Sequence, residues 1–130
     1  MTLDPQQTYV YLATNGEAQV LPGGDAFWSQ PPGQLDALGQ GWLVAEFTFD
    51  ADWPNWEVHP EADEFVYLIT GEAELLLERP QGVERIAMQA GRAVVVPRGV
   101  WHTAKVKAPS RMLHVTMGAG SQHKPAAADA

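Results

Sequence analysis

The chain has 130 residues, with 8 lysines and arginines against 16 aspartates and glutamates, a formal net charge of −8 and no cysteine. This length suits one domain with a single buried core, and the negative charge disfavours nucleic acid and anionic membrane surfaces as partners. Without cysteine, disulfides and thiolate metal sites are excluded, so nitrogen and oxygen groups must bind any metal. We see neither a signal peptide nor an apolar run approaching about 18 residues, and we expect a soluble, cytoplasmic protein.

Short apolar runs separated by turn residues follow one another along most of the chain. Their alternation fits strands better than helices, and Gly16, Gly71, Gly82 and Gly91 mark the turns between them. The predicted strands are 9–14, 17–21, 42–49, 64–70, 72–78, 83–88, 93–97, 101–106 and 111–117. The sequence therefore predicts an antiparallel all-β domain, either a sandwich or a barrel.

Two segments depart from the strand pattern. The Pro- and Gly-rich segment 21–41 predicts a long loop with a short edge strand around 26–29, either a surface connection without a role or a mobile flap over a binding site. The tail, 118–130, has small and polar residues with nothing to bury, so we predict that it is disordered and that the domain spans 1–117. His123, in this tail, is interpreted as a solvated residue.

Two of the predicted strands are apolar on both alternating faces. The runs EFVYLIT (64–70) and AVVVP (93–97) must each be covered on two sides. One protomer of a small barrel covers only the inner face, so a second sheet or a second subunit is needed for the outer face. We therefore expect a homodimer.

The short segment 57–64 contains four candidate metal ligands: Glu57, His59, Asp63 and Glu64. In an extended chain Glu57 and His59 project to the same side, and Glu64 or the adjacent Asp63 could add an oxygen donor from the next strand. His102 follows a corner formed by Pro97 and Gly99, which makes it a candidate fourth ligand. Two alternatives to a metal site remain. The segment 57–64 could be an acidic turn that contains a histidine, and the histidines could be hydrogen-bonded residues of the core.

With these residues at these spacings, the chain resembles the cupin family. The segments EVHPEADEFVYLITG (57–71) and GRAVVVPRGVWH (91–102) are similar to the two cupin motifs in the spacing of their glycines, proline and ligand positions. Three positions differ from those motifs: Glu57 replaces the first histidine, Val106 replaces a final asparagine, and Ala51 stands where a glycine is expected. Of these, only the change at Glu57 alters the chemistry of the expected site.

The resemblance implies a jelly-roll β-barrel that holds one divalent metal through Glu57, His59, Glu64 and His102. Two neutral imidazoles and two carboxylates balance the charge of a divalent ion, which favours Fe, Mn, Ni or Zn and makes bound water less acidic. If all four side chains bind, an octahedral ion keeps open positions for substrate, whereas a tetrahedral zinc keeps none. The motif spacing to Gly71 favours Glu64 over Asp63 as the ligand.

The resemblance implies a metal-dependent enzyme acting on a small organic metabolite, dioxygenase-like or isomerase-like. The alternative is a non-catalytic cupin module that binds a sugar or another small molecule. A third possibility is a barrel that serves only for assembly, with its cavity filled by large side chains. Metal content separates the first two readings.

Several other side chains have two possible interpretations. His114 is either a cavity residue that carries protons or a hydrogen-bonded packing histidine. Arg98 either meets an anionic substrate or is a solvated turn residue. Trp56 and Trp101 adjoin predicted ligands, so by alternation they point outward to a second face or a dimer contact. The candidates for an apolar pocket are Trp28, Trp42 and Phe47.

Overall fold

The computed structural model describes residues 2–126. Within this range the chain forms nine strands and two short helices, so the antiparallel all-β prediction is confirmed. In chain order the elements are β1 (Thr8–Leu12), β2 (Ala18–Pro22), α1 (Asp25–Trp28), α2 (Pro32–Leu38), β3 (Trp42–Phe49), β4 (Asn55–Val58), β5 (Glu64–Arg79), β6 (Gly82–Gln89), β7 (Arg92–Val96), β8 (His102–Thr116) and β9 (Gln122–Pro125).

Two long strands, β5 and β8, organise the sheet. They pair with each other along their length, with shifts of register between Leu68 and Ala73. The first half of β5 pairs with β7 and the end of β8 pairs with β3, which gives the order β7-β5-β8-β3-β1-β2. The second half of β5 pairs with β6 and the start of β8 with β4, which gives β6-β5-β8-β4-β9. Hydrogen bonding among residues 2–126 does not close these strands into a ring.

We expected Gly71 to end a strand. Instead it lies within β5, at the point where the sheet changes direction. Its φ of 102° is unfavourable for residues with a side chain. A Cβ atom at this position would lie 2.5 Å from the carbonyl oxygen of Pro109 and would also strike Ser110. Glycine is therefore required where β5 crosses β8.

Replacing Gly71 by alanine is expected to lower the free energy of unfolding by about 2–4 kcal/mol, because backbone strain and a steric clash add. Denaturant unfolding monitored by tryptophan fluorescence measures this loss. Gly91→Ala is the matched control, since Gly91 also has a positive φ but its Cβ would meet nothing within 4 Å. That control should lose only about 1 kcal/mol. Equal losses in the two variants would show that the clash at the crossing is unimportant.

The main core lies between the two halves of the sheet. Leu68, from the first half of β5, and Leu75, from the second half, are both fully buried in it. Burying one such side chain contributes about 1.5–3 kcal/mol. Because both halves of β5 contribute side chains to one core, the two halves of the sheet pack face to face. The other buried members are Trp53, Val66, Ala73, Leu77, Met88, Val96, Ala104 and Met112.

A second core cluster joins the two helices to the sheet. Its buried members are Tyr9, Phe27 and Ala45, with Leu35 and Leu38 of α2 packed against them. The prediction of an edge strand around 26–29 is wrong, because these residues form α1. The helices have 4 and 7 residues, too few to produce a periodic apolar pattern in the sequence. None of the helices in the described range has the length and apolar composition needed to cross a membrane.

The last described segment is ordered by pairing with β4. Strand β9 lies antiparallel to β4, and Lys124 of β9 places its ammonium group 4.6 Å from the ring centre of Trp101 and 5.9 Å from that of Trp56. Lys124 also contacts the carboxylate of Glu78 at 3.1 Å. The structure thus differs from the expected disordered tail at 122–125, and residues 127–130 lie outside the described range. The ammonium group of Lys124 thus lies over both tryptophan rings.

Candidate metal centre

The strand pairing brings the two sequence motifs together. Glu57 on β4 lies directly opposite His102 on β8, and His59 follows immediately after β4. Glu64 is the first residue of β5, on the same face as the buried Val66. All four predicted ligands therefore reach one region between the two halves of the sheet.

Three of the four side chains are mutually close enough to hold one ion, and the fourth, Glu64, contacts both imidazoles. Ligand atoms of Glu57, His59 and His102 lie within 4.8 Å of one another. The Oε1 atom of Glu57 is 3.9 Å from each imidazole Nε2 atom. Glu64 approaches more closely, with Oε1 at 3.1 Å from Nε2 of His102 and Oε2 at 3.4 Å from Nε2 of His59. The two imidazole ring centres are 5.3 Å apart.

The outer nitrogen of each imidazole is held by a neighbour. Nδ1 of His102 is 3.2 Å from the carbonyl oxygen of Val100, which can only accept, so Nδ1 donates and Nε2 carries the lone pair in the neutral ring. Nδ1 of His59 is 2.7 Å from the hydroxyl of Ser121. Both rings therefore have their Nε2 atoms available for the centre of the site.

Several buried polar atoms at the site have no hydrogen-bond partner within the described residues. They include Nε2 of His59, Nε2 of His102 and Oε1 of Glu64, which have only the ionic contacts given above with one another and with Glu57. Buried polar groups without partners are rare, because leaving one unpaired costs about 1–3 kcal/mol. Two imidazole nitrogens and carboxylate oxygens are the ligand types that borderline divalent metals accept. The residues present therefore fit a divalent metal ion.

Glu64 is an ionised carboxylate in a deeply buried position. Burial acts to raise the pKa of Glu64, but the surrounding imidazoles of His102, His114 and His59 outweigh it and hold this pKa well below its ordinary value. In turn, burial acts to lower the pKa of His102, but contact with Glu64 outweighs it and the pKa is raised. Both shifts have one cause, because the position between Glu64 and the imidazoles favours positive charge.

Four residues that the sequence did not identify as ligands complete the surroundings of the site. His114 places Nδ1 3.4 Å from Oε2 of Glu64, and Thr116 donates a hydrogen bond to the same oxygen. His123 of β9 contacts Oε2 of Glu57 at 3.1 Å, while Ser121 holds His59. Alternation along β8 gave a signal for His114. Nothing in the sequence near 121–123 indicated a role, because these residues reach the site only through the pairing of β9.

The remaining acidic and basic candidates lie away from the site. Asp63 is exposed and accepts a hydrogen bond from the backbone of Arg98 at 2.9 Å. Arg98 is also exposed and does not line the cavity described next, as expected for a solvated turn residue. Glu61 is likewise exposed. Glu61 and Asp63 are therefore solvated acids, which agrees with the preference for Glu64 over Asp63 as the ligand.

A cavity of about 470 Å³ opens beside the four side chains. Glu57, His59 and Glu64 line its polar end, and side chains from α1, α2 and β3 line the rest. Of the aromatic residues considered for a pocket, Trp28 and Phe47 line this cavity and Trp42 does not. The segment 21–41 thus covers a potential binding site. The volume is within the range of small-molecule pockets, about 300–1,000 Å³.

The fold and the site define an antiparallel β-sheet domain with a histidine and carboxylate group able to bind a metal. A family model described as a cupin domain matches residues 46–116, just over half of the chain. The chain therefore belongs to the cupin family, and the resemblance seen in its sequence is confirmed. A search of curated proteins finds no match.

Solved structures share this fold at low sequence identity. A cupin-2 domain protein from Shewanella frigidimarina has a TM-score of 0.50 and 19% identity, covering 65% of this chain and 71% of that one. Oxalate decarboxylase from Bacillus subtilis, which has Mn(II) centres, has a TM-score of 0.55 and 20% identity, covering 65% of this chain but only 23% of its own. A cupin superfamily protein from Desulfitobacterium hafniense has a TM-score of 0.50 and 20% identity, covering 58% and 65%. These likenesses concern the fold alone.

Proposed function

We propose that this chain is a single-domain cupin enzyme that uses one divalent metal ion to act on a small organic molecule. The observation that carries the proposal is the set of buried, unpartnered atoms, Nε2 of His59, Nε2 of His102 and Oε1 of Glu64, beside an open cavity. Glu57 supplies the fourth ligand. The Mn(II) centres of the fold relative from Bacillus subtilis support Mn as one of the candidate ions, with Fe, Ni and Zn as the others.

Residues around the proposed metal site have different roles in the chemistry. When bound, the metal would supply Lewis acidity toward a substrate oxygen, for dioxygen activation or proton transfer. Glu57 and Glu64 balance its charge, and Thr116 and His114 fix the orientation of Glu64. Because His114 contacts Glu64 through Nδ1, its Nε2 atom is left to hold or accept a proton at the wall of the cavity.

The experiment that tests this proposal is metal analysis of protein purified without added metal, followed by titration with Mn(II) and Fe(II). We expect one equivalent of bound metal per chain, and uptake of dioxygen or exchange of substrate protons only in the metal-loaded form. Tight binding of a small molecule by protein that takes up no metal would instead support the non-catalytic module. The open cavity disfavours a role in assembly alone, which would need large side chains to fill it.

Replacing Ser121 by alanine is expected to weaken Mn(II) binding about tenfold, because His59 would lose the group that orients its ring. Isothermal titration calorimetry measures the affinity. The matched control is Ser29→Ala, since Ser29 is exposed and does not line the cavity. An unchanged affinity in Ser121→Ala, or an equal loss in the control, would contradict a positioning role for Ser121.

We also propose that the protein is a homodimer, and the outer face of the six-stranded half of the sheet supports this. Apolar residues lie opposite one another in one row across all six strands. Phe65 is 39% exposed, Val20 55% and Val95 58%. Covering such a row in a stable interface removes about 1,200–2,000 Å² from solvent. The row consists of Val20, Val10, Val44, Val115, Phe65 and Val95.

Replacing Phe65 by arginine is expected to convert the dimer to a monomer, because a charge would be buried at the centre of the apolar row. Light scattering coupled to gel filtration at micromolar concentration reports the change in mass. Val83→Arg is the matched control, since Val83 is an exposed apolar residue on β6, in the other half of the sheet. A wild-type protein that is monomeric under these conditions would contradict the proposed dimer.

A further inference from the structure

The cavity beside the proposed metal site has an apolar end built by the helical segment. Trp28 is half exposed there and packs edge-on against Phe27, with ring centres 4.7 Å apart. Leu35 and Leu38 of α2 line the same end, together with Phe47 of β3. Apolar walls of this kind favour a ligand that covers them with hydrocarbon, and they offer no compensation to a charged group.

The charges around the cavity point against an anionic ligand. Within the described residues no lysine or arginine lines it, whereas Asp36, Glu57 and Glu64 do. The carboxylates of Glu57 and Glu64 balance the two charges of a divalent metal, and Asp36, which is exposed where it lines the cavity, adds a further negative charge. A carboxylate ligand would lose its hydration and find no lysine or arginine side chain in exchange. The electrostatics therefore favour an uncharged ligand.

The polar end of the cavity offers hydrogen bonds that the protein itself does not use. Nε1 of Trp53 and Nε2 of His114 are buried and have no partner among the described residues, and both side chains line the cavity. Their ring centres are 5.7 Å apart. An indole N–H can only donate, so it requires an acceptor oxygen. A ligand with a hydroxyl or carbonyl group could satisfy these atoms.

We infer that the cavity binds an uncharged, mostly apolar molecule that carries at least one hydroxyl or carbonyl oxygen, and that it discriminates against carboxylate anions. The inference rests on the proposed function for the place of the metal, but the walls of the cavity do not depend on the metal. The apolar body lies against α1 and α2, and the oxygen faces the end that holds Glu64 and His114. A cavity with this selectivity would bind a dicarboxylate such as oxalate poorly.

The test compares 2-naphthol, its carboxylate analogue 2-naphthoate, and oxalate as calorimetric probes of metal-free and Mn(II)-loaded protein near pH 7. We expect 2-naphthol to bind at one site per chain in both forms, and each anion to bind at least about tenfold more weakly. If the protein takes up no Mn(II), the proposed enzyme fails but the metal-free comparison still decides the ligand class. Anions that bind as tightly as 2-naphthol, or the absence of 2-naphthol binding to folded protein, would overturn the inference.

Two variants assign the selectivity to named side chains. Leu38→Ala should weaken 2-naphthol binding about fivefold or more without changing Mn(II) affinity, and Val83→Ala, away from the cavity, should leave both unchanged. Asp36→Asn should strengthen 2-naphthoate binding and leave 2-naphthol binding unchanged. An Asp36→Asn variant with wild-type discrimination, or a Leu38→Ala variant with wild-type 2-naphthol affinity, would contradict the inference.

Discussion

Replacing His102 by alanine is expected to lower the affinity for Mn(II) by about 100-fold or more. The side chain is fully buried, and its Nε2 atom lies 3.1 Å from Oε1 of Glu64. Removing the imidazole takes away one of two nitrogen ligands and leaves Glu64 with fewer partners. Calorimetric titration with Mn(II), or competition with a chelator of known affinity, measures the loss.

His123 provides the matched control for this prediction. It is an exposed histidine that contacts Glu57 and not the two imidazoles, so His123→Ala should weaken binding only about tenfold or less. His102→Gln, which keeps most of the buried volume, guards against a folding defect in the alanine variant. If folded His102→Ala or His102→Gln protein binds Mn(II) as tightly as the wild type, His102 is not a ligand.

Metal binding is expected to weaken steeply as the pH falls. Contact with Glu64 raises the pKa of His102 above its ordinary value of 6.5, despite the opposing effect of burial. A metal must displace this proton, so the apparent affinity should fall about tenfold per pH unit below the raised pKa. The lowered pKa of Glu64 keeps that carboxylate ionised in the same range, so protonation of Glu64 adds no further loss.

The same pKa shifts also make the stability of the metal-free protein depend on pH. On the alkaline side this stability falls as the pH rises, whereas the metal affinity rises. The raised pKa of His102 contributes stability that is fully present below pH 6.5 and is lost as pH rises through the folded value. The lowered pKa of Glu64 contributes stability present above pH 4.5 and lost as pH falls through its folded value. The increase in Tm caused by Mn(II) should therefore grow between about pH 5.5 and 8. A Mn(II)-dependent shift that is constant or declines over that range would contradict this linkage.

The parts of the site that could be predicted are those with local signals. Alternation put Glu57 and His59 on one side of an extended segment, and the glycine and proline spacing placed His102 at the start of a strand. The structure brings these three side chains together because β4 and β8 are neighbours. In each case the backbone constraint lies within a few residues of the functional side chain, so it is visible in the sequence.

The contributions of β9 could not be predicted because they depend on a distant partner. The residues of β9 are mostly polar and bury little, so nothing in their own pattern indicates a strand. They are ordered by pairing with β4 and by Lys124 above two tryptophans, and only this contact brings His123 and Ser121 to the site. The helices over the cavity were missed for a related reason, since one or two turns cannot show a helical period.

The most direct test of the account is anomalous scattering, recorded at the Mn, Fe, Ni and Zn absorption edges, from crystals of the native protein grown with the metal it retains. We expect one strong peak between Nε2 of His59, Nε2 of His102 and the carboxylate of Glu64, at about 2.0–2.2 Å from the nitrogen atoms. A peak elsewhere on the chain, or metal-replete crystals with no peak among these three side chains, would contradict it.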